Sequence, residues 1–428
     1  MSYNYNSWEP VKVNLEKLTE RETELLRDSE TFCIYPWIHM HTYPTGETWP
    51  CCHAEMSAGC VGTTKEDSLN ELANSERMRE LRLNMLNNEK NSYCTRCYEQ
   101  DAAGFFSGRK SANKHHGHHI ERALKTQSDG TYNNFTMTYW DVRFSNLCNL
   151  KCRSCGHIFS SQWYKDQIAL VGPEYKQNNT QLTYAGKYET DLLEQVLEHI
   201  DYVDQIYFAG GEPLVMEEHY KILETLIERG RTDVRLIYNT NFTQVKLKDK
   251  RAFNMWKHFP QVSVGASLDA MGDHAEYIRS GTKWEDVETN RQQLMEECPH
   301  VDFYISCTLS IMNALHVTDF HRNWTMKGFI KPQDFNINIL QDPAHYRIDI
   351  ATTEYKNAIK EKFWRHLEWL EPQDHLRRAS IGYRSAINFM ESNNSELLPK
   401  FWDKTHQLDS IRNESVLDYI PELKALQI

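Results

Sequence analysis

The sequence predicts an α/β fold: a partial (β/α)6 TIM-like barrel over residues 136–340, a cysteine-bearing block before it and a helical C-terminal extension after it. Three observations predict it. Six short runs rich in aromatic and β-branched residues recur through the middle of the chain. Segments with apolar residues at helical spacing fall between them. The chemically unusual residues sit where the predicted strands end, and that is the end that carries chemistry in a parallel α/β barrel.

The first strand is read at 136–146 (TMTYWDVRFSN), the second at 204–213 (DQIYFAGGEP) and the third at 233–242 (DVRLIYNTNF). The fourth covers 261–270 (QVSVGASLDA), the fifth 301–310 (VDFYISCTLS) and the sixth 334–340 (DFNINIL). Leu192, Leu193, Val196, Leu197 and Ile200 form one helix face between the first two. Ile222, Leu223, Leu226 and Ile227 form the next, with Gly230 as a stop signal. Strands alternating with helices predict a parallel sheet, and six units fall short of the eight of a closed barrel. Residues 171–190 read as an irregular insertion and residues 1–32 as helical. The expected organisation is 1–110 for the N-terminal block, 111–135 for a linker, 136–340 for the barrel and 341–428 for the extension.

Composition narrows the function classes. The chain has 428 residues, 40% hydrophobic and 25% charged, an ordinary globular balance. A net charge of −12 argues against a uniformly basic nucleic-acid coat. No run of about 18 apolar residues suggests a membrane span, and no charged-then-apolar leader opens the chain. A cytoplasmic location is therefore expected, and disulfides are rare there. Eleven cysteines then read as metal ligands or core residues. Cys298 and Cys307 stand apart in apolar surroundings and read as packing.

Cys148, Cys152 and Cys155 lie in NLCNLKCRSCG, just after the first strand, with no fourth cysteine nearby. Closed zinc and iron–sulfur sites normally take four protein ligands, so three thiolates leave a position open. Soft ligands favour iron–sulfur. A zinc site completed by a distant residue such as His157 is the competing reading. In "GGEP", Gly210, Gly211, Glu212 and Pro213 follow the second strand.

Together these motifs resemble the radical S-adenosylmethionine (radical SAM) superfamily. The resemblance implies that Cys148, Cys152 and Cys155 hold a 4Fe–4S cluster whose open iron binds SAM. It implies that Gly210, Gly211, Glu212 and Pro213 sit beside the SAM amino group, Glu212 offering an anionic acceptor. It also places Asn239, Thr240 and Asn241, after the third strand, and Ser267 and Asp269, after the fourth, near the SAM ribose and carboxylate. Arg279 matches the arginine that follows SLD in the superfamily and suits a carboxylate fork. The sequence departs from the pattern at Ser154, where an aromatic residue is common.

The N-terminal block holds Cys33-x12-Gly46-x4-Cys51 and then Cys94-x2-Cys97. This resembles the SPASM/twitch domain, although such domains usually follow the radical SAM core. By that resemblance, Cys33, Cys51, Cys94 and Cys97 would ligate an auxiliary 4Fe–4S cluster. A four-thiolate zinc site is the alternative. Cys52 is an alternative ligand to Cys51, and Cys60 reads as packing. The resemblance as a whole implies reductive cleavage of SAM to a 5′-deoxyadenosyl radical that takes a substrate hydrogen. It also implies an external electron donor of the flavodoxin or ferredoxin type. A peptide or protein side chain is the favoured substrate, a small molecule or nucleoside the alternative. A non-catalytic iron–sulfur or zinc protein is the competing class. "KHHGHH" (114–119) is His-rich but has no neighbouring carboxylate or cysteine, so it reads as linker. "SGRKSANKHH" (107–116) reads as a solvated basic linker. His39, His41 and His53 read as packing or supporting groups near the auxiliary cysteines.

Overall fold

Period-two patterning and β-branched content produce nine strands that share one sheet in the computed structural model, which describes Val13 and residues 17–427. They are β1 His39–Thr42, β2 Glu47–Trp49, β3 Gly62–Thr63, β4 Tyr139–Val142 and β5 Gln205–Phe208. β6 is Arg235–Thr240, β7 Val262–Ala266, β8 Asp302–Leu309 and β9 Phe335–Ile339. Their spatial order is β9-β8-β7-β6-β5-β4-β1-β2-β3. Each pair from β4 to β9 is parallel. Each of these strands lies inside the run read from the sequence.

One pairing crosses the expected boundary between the N-terminal block and the rest. β1 runs parallel to β4, with His39 opposite Tyr139 and His41 opposite Asp141. β2 and β3 then extend the sheet antiparallel. The N-terminal block is therefore joined to the larger sheet through backbone hydrogen bonds.

Strands buried on both faces carry near-continuous apolar runs. Leu236, Ile237 and Tyr238 of β6 are all buried. Tyr238 stacks on Phe208 at 5.0 Å and meets Trp256 at 5.1 Å, on the side covered by helices. Ile237 joins Tyr139 and Tyr207 in a separate small cluster on the other side. The helices include α1 Gly108–His116, α2 Asp191–Leu197, α3 Glu217–Glu228, α4 Trp284–Glu297 and α5 Val317–Met326. The C-terminal region adds α6 Thr353–Leu370, α7 Arg378–Phe389 and α8 Leu398–Arg412. A Cβ on Gly382 of α7 would lie 2.8 Å from Ile337 of β9, so this helix packs directly on the last strand.

One reading of the sequence is corrected. Residues 107–125 are not a solvated linker: α1 and a 3-10 stretch, Gly117–Lys125, fill them. Ala112, His115, His116, Ile120 and Ala123 are buried there. Arg109 pairs with Asp101 at 2.6 Å and donates to the carbonyls of Ser29 and Phe32, so its charge is locked inside. The helical N-terminus expected over residues 1–32 falls partly outside the described residues. Inside them, helical turns run from Glu20 to Asp28. No helix among the described residues is long and apolar enough to cross a membrane.

Candidate metal and cofactor site

The segment after β4 folds back on itself and is pinned from several sides. Ser160 Oγ donates to the Leu150 carbonyl at 2.5 Å, and Trp163 Nε1 to the Cys152 carbonyl at 2.9 Å. Cys152 pairs antiparallel with Arg279, and Arg153 N donates to Ile278 O at 2.9 Å. These bonds gather Cys148, Cys152 and Cys155. Burial pushes the Cys155 thiol up to about 12, and the neighbouring Cys152 adds to it. The Cys148 thiol is raised by burial first, then by Cys152 and Glu212. Burial likewise raises Cys152, opposed by Arg279, whose Nη1 donates to its sulfur at 3.6 Å.

The Gly-Gly pair makes a close approach, to the chain itself. Gly210 has φ +79°, and a Cβ there would fall 1.9 Å from Arg143 Cδ. Gly211 has φ +48°, and its Cβ would fall 2.2 Å from the Leu147 carbonyl in the cysteine loop. Only glycine fits both the backbone and the space. Pro213 opens a short 3-10 turn that Glu212 caps. Glu212 N donates to that same Leu147 carbonyl at 2.8 Å.

The Glu212 side chain is held from three sides. Its carboxylate already accepts from Thr240 Oγ1 at 2.7 Å, Asn241 N at 2.7 Å and Leu214 N at 3.0 Å. It is 1% exposed, and burial pushes it up to about 7 against those three donors. Its visible work is to tie the GGEP turn to the end of β6. A free ammonium acceptor there would need the remaining lone-pair capacity of an already occupied group.

The other expected positions divide. Thr240 turns its hydroxyl toward Glu212 and Asn241 bonds it through its backbone N–H, while Asn239 donates to Tyr207 Oη at 2.7 Å. Asn241 also donates to Asn149 Oδ1 at 2.8 Å, and Asn149 donates to Thr243 at 2.9 Å, stitching this end to the cysteine loop. Ser267 N donates to Thr240 O at 2.7 Å. Asp269 accepts from Arg279 Nε at 2.8 Å and from Thr308 N at 2.8 Å. Arg279 therefore already has a carboxylate partner and reaches the Cys152 sulfur with another of its donors.

In the N-terminal block, Cys33, Cys51, Cys94 and Cys97 gather around one another. Burial raises Cys51 well above the ordinary thiol value, with Cys52, Cys94, Cys33 and Cys97 adding to it. Burial pushes Cys94 up to about 12, and Cys97 adds to it. Cys52 stands beside Cys51, and its charge is also felt by Tyr43, Arg143 and Tyr207 on the sheet side. Cys60 packs on the core.

Both cysteine sets suit iron–sulfur clusters. The donors are soft thiols. A tetrahedral zinc brings its thiolates to roughly 3.8 Å of one another. Among the described residues, no three of these thiols lie within 4.8 Å of one another. His157, the alternative zinc ligand, is engaged on both ring nitrogens, by Tyr175 Oη at 2.9 Å and Gln181 O at 3.0 Å.

One buried charge group escaped the sequence reading. Asp141 of β4 accepts from His41 Nδ1 at 2.9 Å and pairs with Arg143. The three come together because β1 pairs with β4. His39 and His41 thus belong to the sheet rather than to the cysteines. His39 stacks on Tyr139 at 4.4 Å, and His41 bonds Asp141. The alternation Asp141–Val142–Arg143 is visible in the sequence, but its histidine partner is 100 residues away.

Comparison with known proteins adds family information. The family profile described as "Radical SAM superfamily" matches residues 142–319. The SPASM profile, described as an iron–sulfur cluster-binding domain, matches residues 33–98. Among curated proteins none matches the chain. Solved structures with distant similarity include native anSMEcpe with bound AdoMet, at 19% identity and TM-score 0.37. That match covers 54% of this chain and 61% of that one, so the chain spans less than two thirds of its length. Native anSMEcpe with bound AdoMet and Kp18Cys peptide matches at 18% identity and TM-score 0.37, covering 55% of this chain and 61% of that one. TYW1 with a lysine-pyruvate adduct bound matches at 13% identity and TM-score 0.27, covering 53% and 70%.

Proposed function

Because the chain carries a radical SAM domain and, before it, a SPASM iron–sulfur cluster-binding domain, we propose that it is a radical SAM enzyme acting on a peptide or protein side chain. The observation that carries the reading is one end of the sheet. There, three gathered thiols, Cys148 buried and Cys152 and Cys155 half-buried, the GGEP turn and the ends of β6 and β7 are stitched together by named hydrogen bonds. The radical SAM domain implies a 4Fe–4S cluster and SAM, and the SPASM domain implies auxiliary iron–sulfur. Cys148, Cys152 and Cys155 would hold the first cluster; Cys33, Cys51, Cys94 and Cys97 would hold the second. When bound, the first cluster supplies one electron that cleaves SAM to methionine and a 5′-deoxyadenosyl radical able to take a substrate hydrogen. We read the six strand–helix units as a partial (β/α)6 barrel around that site, with the C-terminal helices as an extension.

The chain's own residues set the site up. Three thiols with no fourth cysteine leave room for a ligand that is not protein. Arg279, held by Asp269, places a cation beside the Cys152 sulfur. Gly210 and Gly211 let the turn press against Arg143 and Leu147, and Glu212 locks it to Thr240 and Asn241. Pro213, Asn239 and Ser267 complete the strand-end set proposed to meet SAM. An external flavodoxin- or ferredoxin-type donor would supply the electron. A small-molecule or nucleoside substrate is a second reading, favoured by the polar interior formed by Asn239, Tyr207 and the Asp141 group.

The test is direct. Anaerobically reconstituted protein with dithionite and SAM forms 5′-deoxyadenosine above the level of a Cys148/Cys152/Cys155→Ala variant. Equal levels would overturn the proposal. About eight irons per chain fit two 4Fe–4S clusters, whereas zinc without sulfide indicates structural sites.

A further inference from the structure

The opposite end of the sheet holds a second group of metal-type donors. His118 and His119 lie on the 3-10 stretch that follows α1, and Asp204 immediately precedes β5. One donor atom from each of the three lies within 4.8 Å of the others, the one such group of histidine, cysteine or carboxylate side chains among the described residues. The sequence hides this, because the carboxylate that "KHHGHH" lacks locally arrives from 85 residues away.

Both imidazoles aim at one oxygen. His119 Nε2 lies 2.7 Å from Asp204 Oδ2, and His118 Nε2 lies 3.5 Å from the same atom. The first contact is an ordinary hydrogen bond. The second is too long to be a good one, yet His118 has no better partner, since its Nδ1 is buried without any. The two rings are crowded to 4.0 Å between centroids. The Asp204 side chain is 41% exposed, so an ion has a way in and room for water.

We propose that His118, His119 and Asp204 form a binding site for a divalent transition ion, zinc foremost. Imidazole nitrogen and carboxylate oxygen in a two-to-one set suit zinc, with water completing a tetrahedron. The position indicates its purpose. Asp204 N donates to Thr138 O at 2.8 Å and Arg235 N to Asp204 O at 2.9 Å, so the Asp204 backbone joins the N-terminal ends of β4 and β6. The ion would bolt the segment leaving the SPASM domain to the base of the sheet, away from the cysteine loop. Residues at that face of a parallel α/β fold serve stability.

The test uses reconstituted protein with its clusters loaded and any affinity tag removed. It is dialysed against micromolar zinc, and zinc, iron and sulfide are counted per chain. Wild type is expected to retain one zinc whose X-ray absorption shows only nitrogen and oxygen neighbours at about 2.0–2.2 Å. His119→Gln and Asp204→Asn are expected to bind zinc at least tenfold more weakly at unchanged iron and sulfide. A sulfur shell at about 2.3 Å, meaning zinc in a cysteine set, would overturn the site. So would wild type that retains no zinc, or variants that bind it equally. Because the absorption spectrum is read on wild type, a variant that fails to fold does not remove the decision.

Discussion

Asp409→Asn should loosen the cysteine loop from a distance. Arg153 sits inside that loop, between two proposed ligands, and is 2% exposed. Its Nη2 donates to Asp409 Oδ1 at 2.5 Å and Glu414 Oε2 at 2.7 Å, and its guanidinium lies 3.7 Å over the Tyr277 ring. Tyr277 Oη donates to the same Asp409 oxygen at 2.8 Å, and Val416 N to the other at 2.8 Å. Removing one partner of a buried pair costs about 3–5 kcal/mol. Glu414 remains and Asn keeps one acceptor, so about half survives, leaving a loss of ~2 kcal/mol. Two kilocalories correspond to about a thirtyfold change in an opening equilibrium. Native-state hydrogen exchange reads that quantity locally. Amides of α8 and of residues 150–156 should exchange about thirtyfold faster, with the far strands unchanged. Glu414→Gln, at the more exposed partner, should give roughly 1 kcal/mol, and the double variant more than the sum. Exchange within about twofold of wild type in Asp409→Asn would refute the reasoning.

Further predictions follow from other contacts. Gly211→Ala demands both a left-handed backbone and a Cβ 2.2 Å from the Leu147 carbonyl, so it should lower thermal stability and iron retention together. Asp141→Asn leaves the Arg143 charge buried without its carboxylate and should cost about 3–5 kcal/mol, read by denaturant unfolding. Asp334 is pushed up to about 6 by burial and then by Asp302. As an acid with a raised folded pKa, its contribution is favourable below about pH 4 and is lost as pH rises through 6. Asp334→Asn should therefore stabilise by up to ~3 kcal/mol more at pH 8 than at pH 4, and a pH-independent difference would contradict this. Cys94→Ala should halve the iron per chain while Cys148→Ala removes the other half, which iron analysis of each variant checks.

The parallel strands were legible in the sequence because both-face burial leaves short apolar runs, as in Leu236-Ile237-Tyr238 within Arg235–Thr240, which lies inside the third predicted run. Helix ends were legible where Gly230 stops α3 with φ +69°. The cysteine spacings were legible because loop ligands lie close in sequence. What was not legible depends on distance along the chain. β1 finds β4 across 100 residues, and nothing in "HMHT" names its partner. Glu212 looked available because its three donors come from Leu214, Thr240 and Asn241, and only folding brings the latter two to it. "KHHGHH" looked like linker because burial of His115 and His116 is set by packing against the sheet.

The pairing of β1 with β4 sets a span as well as a shape. The two thiol sets are proposed to hold two clusters in one molecule, at one fixed separation. Here that separation is measured along a hydrogen-bonded ladder rather than across a tether, so thermal motion of a hinge does not modulate it. Cutting the chain ahead of β4 would not release an accessory module. It would bare the ladder of β4 as a new sticky edge and take away the ruler that holds the two sets in step.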